Sequence, residues 1–299
     1  MSTPRFDRQR RKLLIWGGTT VLLSAGLRAQ TRSPRRIIAV GGALAEIVYA
    51  LGAQNSPQSI LVGADTTCTY PTATHALPKV GYERALSAEG LLSLRPDLVL
   101  ASAEAGPPVV FEQIQQAGLA VIFFPEHHDI DSVRGKISGI AIALAVADAG
   151  RVLLAQFDRD WAQMRAAIDA QQDAKHVPAP RVLFVLNQTG NQAMVAGQHT
   201  AADAMLSYAG ARNAMQGFNG YRPLSAEALV AAAPDIILTT DEGLVAAGGP
   251  TSLLSSPGFD ATPAGRAKRV ISLDTLLLLG FGPRLPAAVT ELRQSLQQA

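Results

Sequence analysis

The chain has 299 residues, 48% hydrophobic and 17% charged, which is enough to bury two cores of ordinary size and too apolar for a disordered segment. Its net charge is +2, and much of the basic excess lies in the first 36 residues, at Arg5, Arg8, Arg10, Arg11, Lys12, Arg28, Arg32, Arg35 and Arg36. The remainder is mildly acidic, which argues against nucleic acid as a partner.

The first element is a leader. A basic stretch ending at Lys12 is followed by a 15-residue apolar run, Leu13 to Leu27, and a small residue, Ala29. That is the pattern of a secretory signal peptide over residues 1–29, with a Pro/Arg/Ser linker over 30–35. The run is short for a membrane-spanning helix, a membrane anchor being the alternative. Arg10-Arg11 resembles a twin-arginine signal loosely, so the expectation is export to a periplasm by the Sec or the twin-arginine route. The sole cysteine, Cys68, allows no intramolecular disulfide and reads as an inert loop thiol.

Arg36 to Val40 reads as a buried strand, and an apolar helix follows Gly41-Gly42 as far as Leu51-Gly52-Ala53. A second strand, Ile60 to Val62, leads into a polar stretch rich in turn signals, Asp65 to Pro78. A helix starting at Ser87, a strand Leu98 to Ala101, a helix Phe111 to Gly118 and a strand Val121 to Phe124 complete an alternating α/β pattern. From about 130 to 172 the only breakers are Gly135, Gly139 and Gly150. Leu153, Phe157, Trp161, Met164 and Ile168 recur there at helical spacing, which predicts one long amphipathic helix. The pattern then restarts at Arg181 to Val185.

The second half repeats the first. Residues 84–100 align without gaps on residues 222–238, 138 positions later, and nine of the 17 pairs are identical. The shared residues include the Arg, a Ser-Ala-Glu and a Pro-Asp: an N-cap, an acid at the positive helix end, and a stop before a strand. Arg181 to Val185 echoes Arg36 to Val40, and 202–213 echoes 45–55, in the same order. A lobe over 36–145, a spine helix over 146–174 and a second lobe over 175–299 follow from this duplication, as does a two-lobed binder.

The stretch Leu77-Pro78-Lys79-Val80-Gly81-Tyr82-Glu83-Arg84-Ala85-Leu86-Ser87-Ala88-Glu89-Gly90 resembles the haem-binding branch of the periplasmic substrate-binding proteins of ABC importers. Residues 195–204, 213–218 and 279–282 support the resemblance, which covers nearly the whole chain after the leader. It implies two Rossmann-like lobes joined by a spine helix with a ligand cleft between them, ferric haem as transported ligand, and no catalysis. It also implies that Tyr82, the tyrosine of a Val-Gly-Tyr-x-Arg motif, is the axial iron ligand. A phenolate is a hard anionic donor suited to ferric iron, and Arg84 is close enough in sequence to stabilise it. The bland reading of Tyr82 is a loop aromatic packed on a helix start.

Arg222 is the repeat equivalent of Arg84 and follows Tyr221, so both become candidates for the second wall of the cleft, as propionate or pocket contacts or as surface residues beside a helix cap. Similar proteins can carry a histidine in the first loop of the second lobe. Here that loop reads Asn187-Gln188-Thr189-Gly190, which removes the usual donor for a second axial ligand or a stacked second haem. His199 is the candidate substitute, against a solvated or capping role. His127-His128 is expected on the loop entering the spine. Glu89 and Glu227 match the acidic pair that similar proteins dock on a permease made of two like subunits, where simple helix-dipole stabilisation is the alternative. A monomer is expected. A carrier for a ferric siderophore or a corrinoid is the runner-up, ahead of an exported α/β enzyme, since nucleophile elbow, phosphate loop and metal triad are all missing from the sequence.

Overall fold

The computed structural model describes residues 36–56, 59–175, 178–189 and 192–299; the predicted leader and linker lie outside them. The first lobe runs β1 (Arg36–Val40), α1 (Gly42–Ala50), β2 (Ile60–Ala64), β3 (Gly81–Tyr82), β4 (Ala85–Leu86), α2 (Ala88–Ser93), β5 (Leu98–Ser102), α3 (Pro108–Gln116) and β6 (Ala120–Phe124). Two helices follow, α4 (Ile130–Ala143) and α5 (Ala147–Lys175). The second lobe begins with β7 (Arg181–Thr189), β8 (Gln192–Ala196), α6 (Ala201–Tyr208), β9 (Arg212–Asn213), β10 (Tyr221–Leu224), α7 (Ala226–Ala232) and β11 (Ile236–Thr240). It ends with α8 (Asp241–Ala246), α9 (Pro250–Leu254), α10 (Pro263–Ala267), β12 (Val270–Leu273), α11 (Thr275–Leu279) and α12 (Leu285–Gln298).

Four parallel strands, in the order β2-β1-β5-β6, form the first sheet. The second has the order β10-β8-β7-β11-β12 with β9 beside β7; β7, β11 and β12 run parallel, β8 is antiparallel to β7, and β10 is antiparallel to β8. Every residue of β5 and of β11 is buried, as expected of central parallel strands covered on both faces. The α/β class and the two-lobed plan expected from the alternation and the repeat are therefore borne out.

Equivalent residues perform equivalent tasks in the two copies. Asp97 accepts the backbone N–H of Arg36 at 2.9 Å and Asp235 that of Arg181 at 2.8 Å, so each Pro-Asp ties its turn to the first strand of its own lobe. Helix α1 ends with Gly52 at φ +66 and α6 with Gly210 at φ +75; in each the next residue, Ala53 or Ala211, donates five residues back, to Val48 and Leu206. Both ends are Schellman caps, which need the left-handed conformation that glycine adopts without strain. The copies differ at one point. Ala85-Leu86 closes a separate two-stranded hairpin with β3, whereas the matching segment of the second copy joins the main sheet as β10.

The helix expected over 146–174 is α5, and a separate helix, α4, precedes it at the end of the first lobe. Ala145, at φ +55, ends α4 with another Schellman cap, Val146 donating to Ala141 and Ala145 to Ile142. The left-handed residue of this cap is an alanine rather than the glycine that such caps favour. Helix α5 then doubles back closely on α4: a Cβ on Gly150 would lie 2.4 Å from that of Ala141. The predicted stripe on α5 faces inward, with Phe157, Met164 and Ile168 buried and Leu153 and Trp161 packed against the core. That core is continuous through both lobes, joining Ile37, Leu100 and Ile140 to Val182, Phe184 and Leu238. A shared core of this kind opposes wide hinge opening, since separation would expose apolar surface at roughly 25 cal/mol per Å². Among the described residues no helix is long and apolar enough to cross a membrane.

Candidate functional site

Tyr82 ends β3 of a tight hairpin in which it pairs with Ala85, leaving Glu83 and Arg84 as the two turn residues. The hairpin is tied at both ends. Thr66 donates to Gly81 O at 2.9 Å, Val80 to Ala64 O at 3.1 Å, Leu86 to Gly106 O at 3.0 Å, and Gly106 to Glu83 O at 2.9 Å. Gly81, at φ +110, lies close to the opposite strand, where a Cβ would meet Ala85 O at 3.2 Å. Preceding it, residues 65–79 are held by Asp65, fully buried, whose carboxylate accepts from Gly41 N, Thr67 N and the Cys68 thiol. Lys79 adds a bond to Cys68 O at 2.9 Å. Cys68 is thus a buried thiol of this loop, and burial pushes its pKa well up.

On this rigid base the Tyr82 ring is 51% exposed, free to meet a ligand. Arg84 is engaged by Glu104 from the loop after β5, a residue that no sequence motif singles out. Glu83 is half-buried: burial and the nearby Asp65 raise its carboxyl pKa, against a hydrogen bond from Ser102.

Tyr221 opens β10 of the second lobe, opposite Ala196. Burial, reinforced by Glu104 and opposed by Arg84, pushes its phenol up to about 12, so charges of the first lobe reach a side chain of the second. Arg222 stacks over Phe218 with its guanidinium 4.9 Å from the ring centre. Phe218 in turn lies flat on Gly197, where any Cβ would collide with the ring. Arg84 and Glu104 of the first lobe are thus within electrostatic reach of Tyr221 in the second, with Tyr82 two residues before Arg84 in the hairpin and Arg222 directly after Tyr221 on β10.

His199 is elsewhere. It lines a cavity of about 300 Å³ with His127, His128, Thr200, Asp203 and Tyr208, a lining that includes none of Tyr82, Arg84, Tyr221 and Arg222. The loop with His127 and His128 enters α4, not the spine as the sequence suggested, because the chain breaks at Ala145 before α5 begins. His128 packs on Phe281 with ring centres 5.4 Å apart, and burial lowers its pKa. No group of three His, Cys, Asp or Glu among the described residues is arranged to hold a metal ion.

Glu89 and Glu227 both lie exposed in the first turn of a helix. The preceding serines cap those helices alike, Ser87 accepting from Gly90 N at 3.0 Å and Ser225 from Ala228 N at 3.2 Å. Hydrogen bonds from its own backbone N–H and from Ser225 hold the Glu227 carboxyl below its ordinary pKa, so it is charged and solvated.

The two-lobed fold, the spine and the cleft are those of a solute-capturing protein. The profile of the periplasmic binding protein family matches residues 37–276, and the chain belongs to that family. Among solved structures, the chain is 64% identical to a periplasmic haem-binding protein, BhuT, in complex with two haems. That match covers 89% of this chain and 98% of the other, with a TM-score of 0.84. It is 39% identical to the periplasmic haem-binding protein RhuT from Roseiflexus sp. RS-1 in its apo form, over 88% and 98% of the two chains, at a TM-score of 0.81. An uncharacterised ABC transporter substrate-binding lipoprotein, YvrC of Bacillus subtilis, is 28% identical over 89% of this chain and 81% of its own.

Proposed function

We propose that this chain captures ferric haem between its lobes in the periplasm and delivers it to an ABC-type inner-membrane permease. The observation that carries the reading is the Tyr82–Arg84 hairpin tip, an exposed phenol and a guanidinium on a rigid base beside the Tyr221 wall of the cleft. The 64% identity to a haem-binding protein over nearly all of that protein's length supports it. The chain is a transport component and not an enzyme. Capture and release need a donor atom, an apolar slot and a few cations, and no bond within the ligand has to break.

Tyr82 is the iron ligand in this proposal. A free phenol ionises near pH 10, so ferric iron displaces its proton and Arg84 stabilises the resulting anion. Tyr221 and Arg222 face the ligand from the second lobe as hydrogen-bond donor and cation. Residues 1–29 serve as the signal peptide, and Glu89 and Glu227 present the loaded monomer to the two permease subunits.

The test is a ferric haem titration of the protein lacking residues 1–29, read by visible absorption alongside Tyr82→Ala. A saturable five-coordinate tyrosinate-type spectrum, lost in the variant, supports carrier and ligand together, and its end point counts the haems. Saturation with an unchanged variant spectrum keeps the carrier and moves the ligand, His199 being tested next. Absence of saturable uptake overturns the haem reading in favour of a siderophore or corrinoid.

A further inference from the structure

Arg84 does not face the cleft as a free cation. Its Nη2 is bonded to the carboxylate of Glu104, although both side chains lie open to water, at 59% and 42% exposure. A pair so exposed contributes little to folding. The loop that presents Glu104 is nonetheless firmly held. Ala103 donates to Phe124 O at 2.8 Å, Glu104 N to Ser102 Oγ at 3.1 Å, and Gly106 to Glu83 O at 2.9 Å. The last of these bonds ties the loop to the hairpin that carries Tyr82, so the two partners meet without a search. The surrounding wall is acidic, with Glu83 and Glu126 within electrostatic reach of each other, and Lys136 is already committed to Glu126 at 2.7 Å. Tyr221 feels both Arg84 and Glu104 across the cleft.

We propose that Glu104 is the affinity-limiting residue of the site: it competes with an anionic ligand for Arg84, so capture exchanges one carboxylate for another and the returning Glu104 eases release. The proposal rests on the haem reading, in which the ligand brings two propionates to this wall and its iron makes a phenolate of Tyr82. A carrier that must surrender its cargo gains from such a competitor, because breaking the Arg84–Glu104 pair is subtracted from the binding free energy. The opposite role, orienting Arg84 toward the ligand, predicts the opposite sign.

Haem dissociation into excess apomyoglobin would be timed for the wild-type protein, Glu104→Gln, Arg84→Ala and the double variant. Expected is a tyrosinate-type spectrum retained in Glu104→Gln with haem loss slowed about threefold, the scale of one exposed ion pair. That gain should shrink at high salt and largely vanish in the Arg84→Ala background. Faster or unchanged haem loss in Glu104→Gln overturns the inference while leaving haem capture intact. So does an equal gain without Arg84, which would make Glu104 a repulsive charge only. A wild-type protein that takes up no haem overturns both readings.

Discussion

Glu46 and Arg284, 238 positions apart, meet in a two-pronged ion pair, Nε to Oε1 and Nη2 to Oε2, both at 2.9 Å. Glu46 belongs to α1 of the first lobe and Arg284 to the start of α12 in the second, so the pair pins one lobe to the other. The same guanidinium lies 3.6 Å from the ring centre of Tyr70, on the polar stretch that leads to Tyr82. Burial raises the Glu46 carboxyl pKa in spite of the arginine, so desolvation outweighs attraction there.

A pair with that balance is costly to break and cheap to replace. Arg284→Ala strands a carboxyl that is 5% exposed and should destabilise by about 3 kcal/mol or more. Glu46→Leu combined with Arg284→Met should recover most of that loss. Urea denaturation of the three proteins decides the matter; a single variant within about 0.5 kcal/mol of wild type would mean that the pair is solvated in solution.

His128 gives a pH dependence with a definite sign. Its ordinary pKa is 6.5, and burial holds it lower in the folded chain, so between the two values the unfolded state carries more protons. Stability therefore rises with pH through that window and is lost as pH falls below about 6.5. The residue sits at φ +54, a left-handed conformation that asparagine tolerates better than most residues. In His128→Asn the stability measured by urea at successive pH values should fall less steeply on acidification. Parallel curves would show that the imidazole titrates alike in both states.

Burial pushes the phenol of Tyr221 up to about 12, which favours its neutral, hydrogen-bond-donating form. Tyr221→Phe should keep the tyrosinate-type absorption of the loaded protein and weaken haem binding by up to about tenfold, the scale of one lost hydrogen bond. Loss of the tyrosinate band would transfer the ligand role from Tyr82 to Tyr221.

What the sequence disclosed and what it hid divide along separation in the chain. The serine caps at Ser87 and Ser225, the paired aspartates and the α5 stripe are local patterns, legible because period and capping chemistry act within a few residues. The Glu46–Arg284 clamp and the Arg84–Glu104 pair join segments that only the finished fold brings together, and neither acid carries a motif. Helix α4, before the spine, was hidden for another reason: its cap places an alanine, Ala145, where glycine is the usual left-handed residue. The divergence of β10 from the β3–β4 hairpin was equally silent, because which strand a segment pairs with depends on partners distant in the chain.

That divergence makes the two helix starts after it an informative pair. Glu89 and Glu227 occupy the same place in equally capped helices, but one follows a free-standing hairpin and the other a strand of the main sheet. If both dock on a two-subunit permease, charge reversal at either position should leave haem affinity unchanged and reduce delivery. Reversing both should abolish it, since each half of the symmetric partner loses its own contact. Glu227, exposed and held below its ordinary pKa by Ser225 and its own backbone, stays charged throughout the useful pH range and so isolates the electrostatic contribution. Haem uptake by permease reconstituted in liposomes, with Glu89→Lys, Glu227→Lys and the double variant as loaded donors, measures this directly. Equal uptake from all three would leave the two acids as dipole-stabilising helix starts and place the docking surface elsewhere.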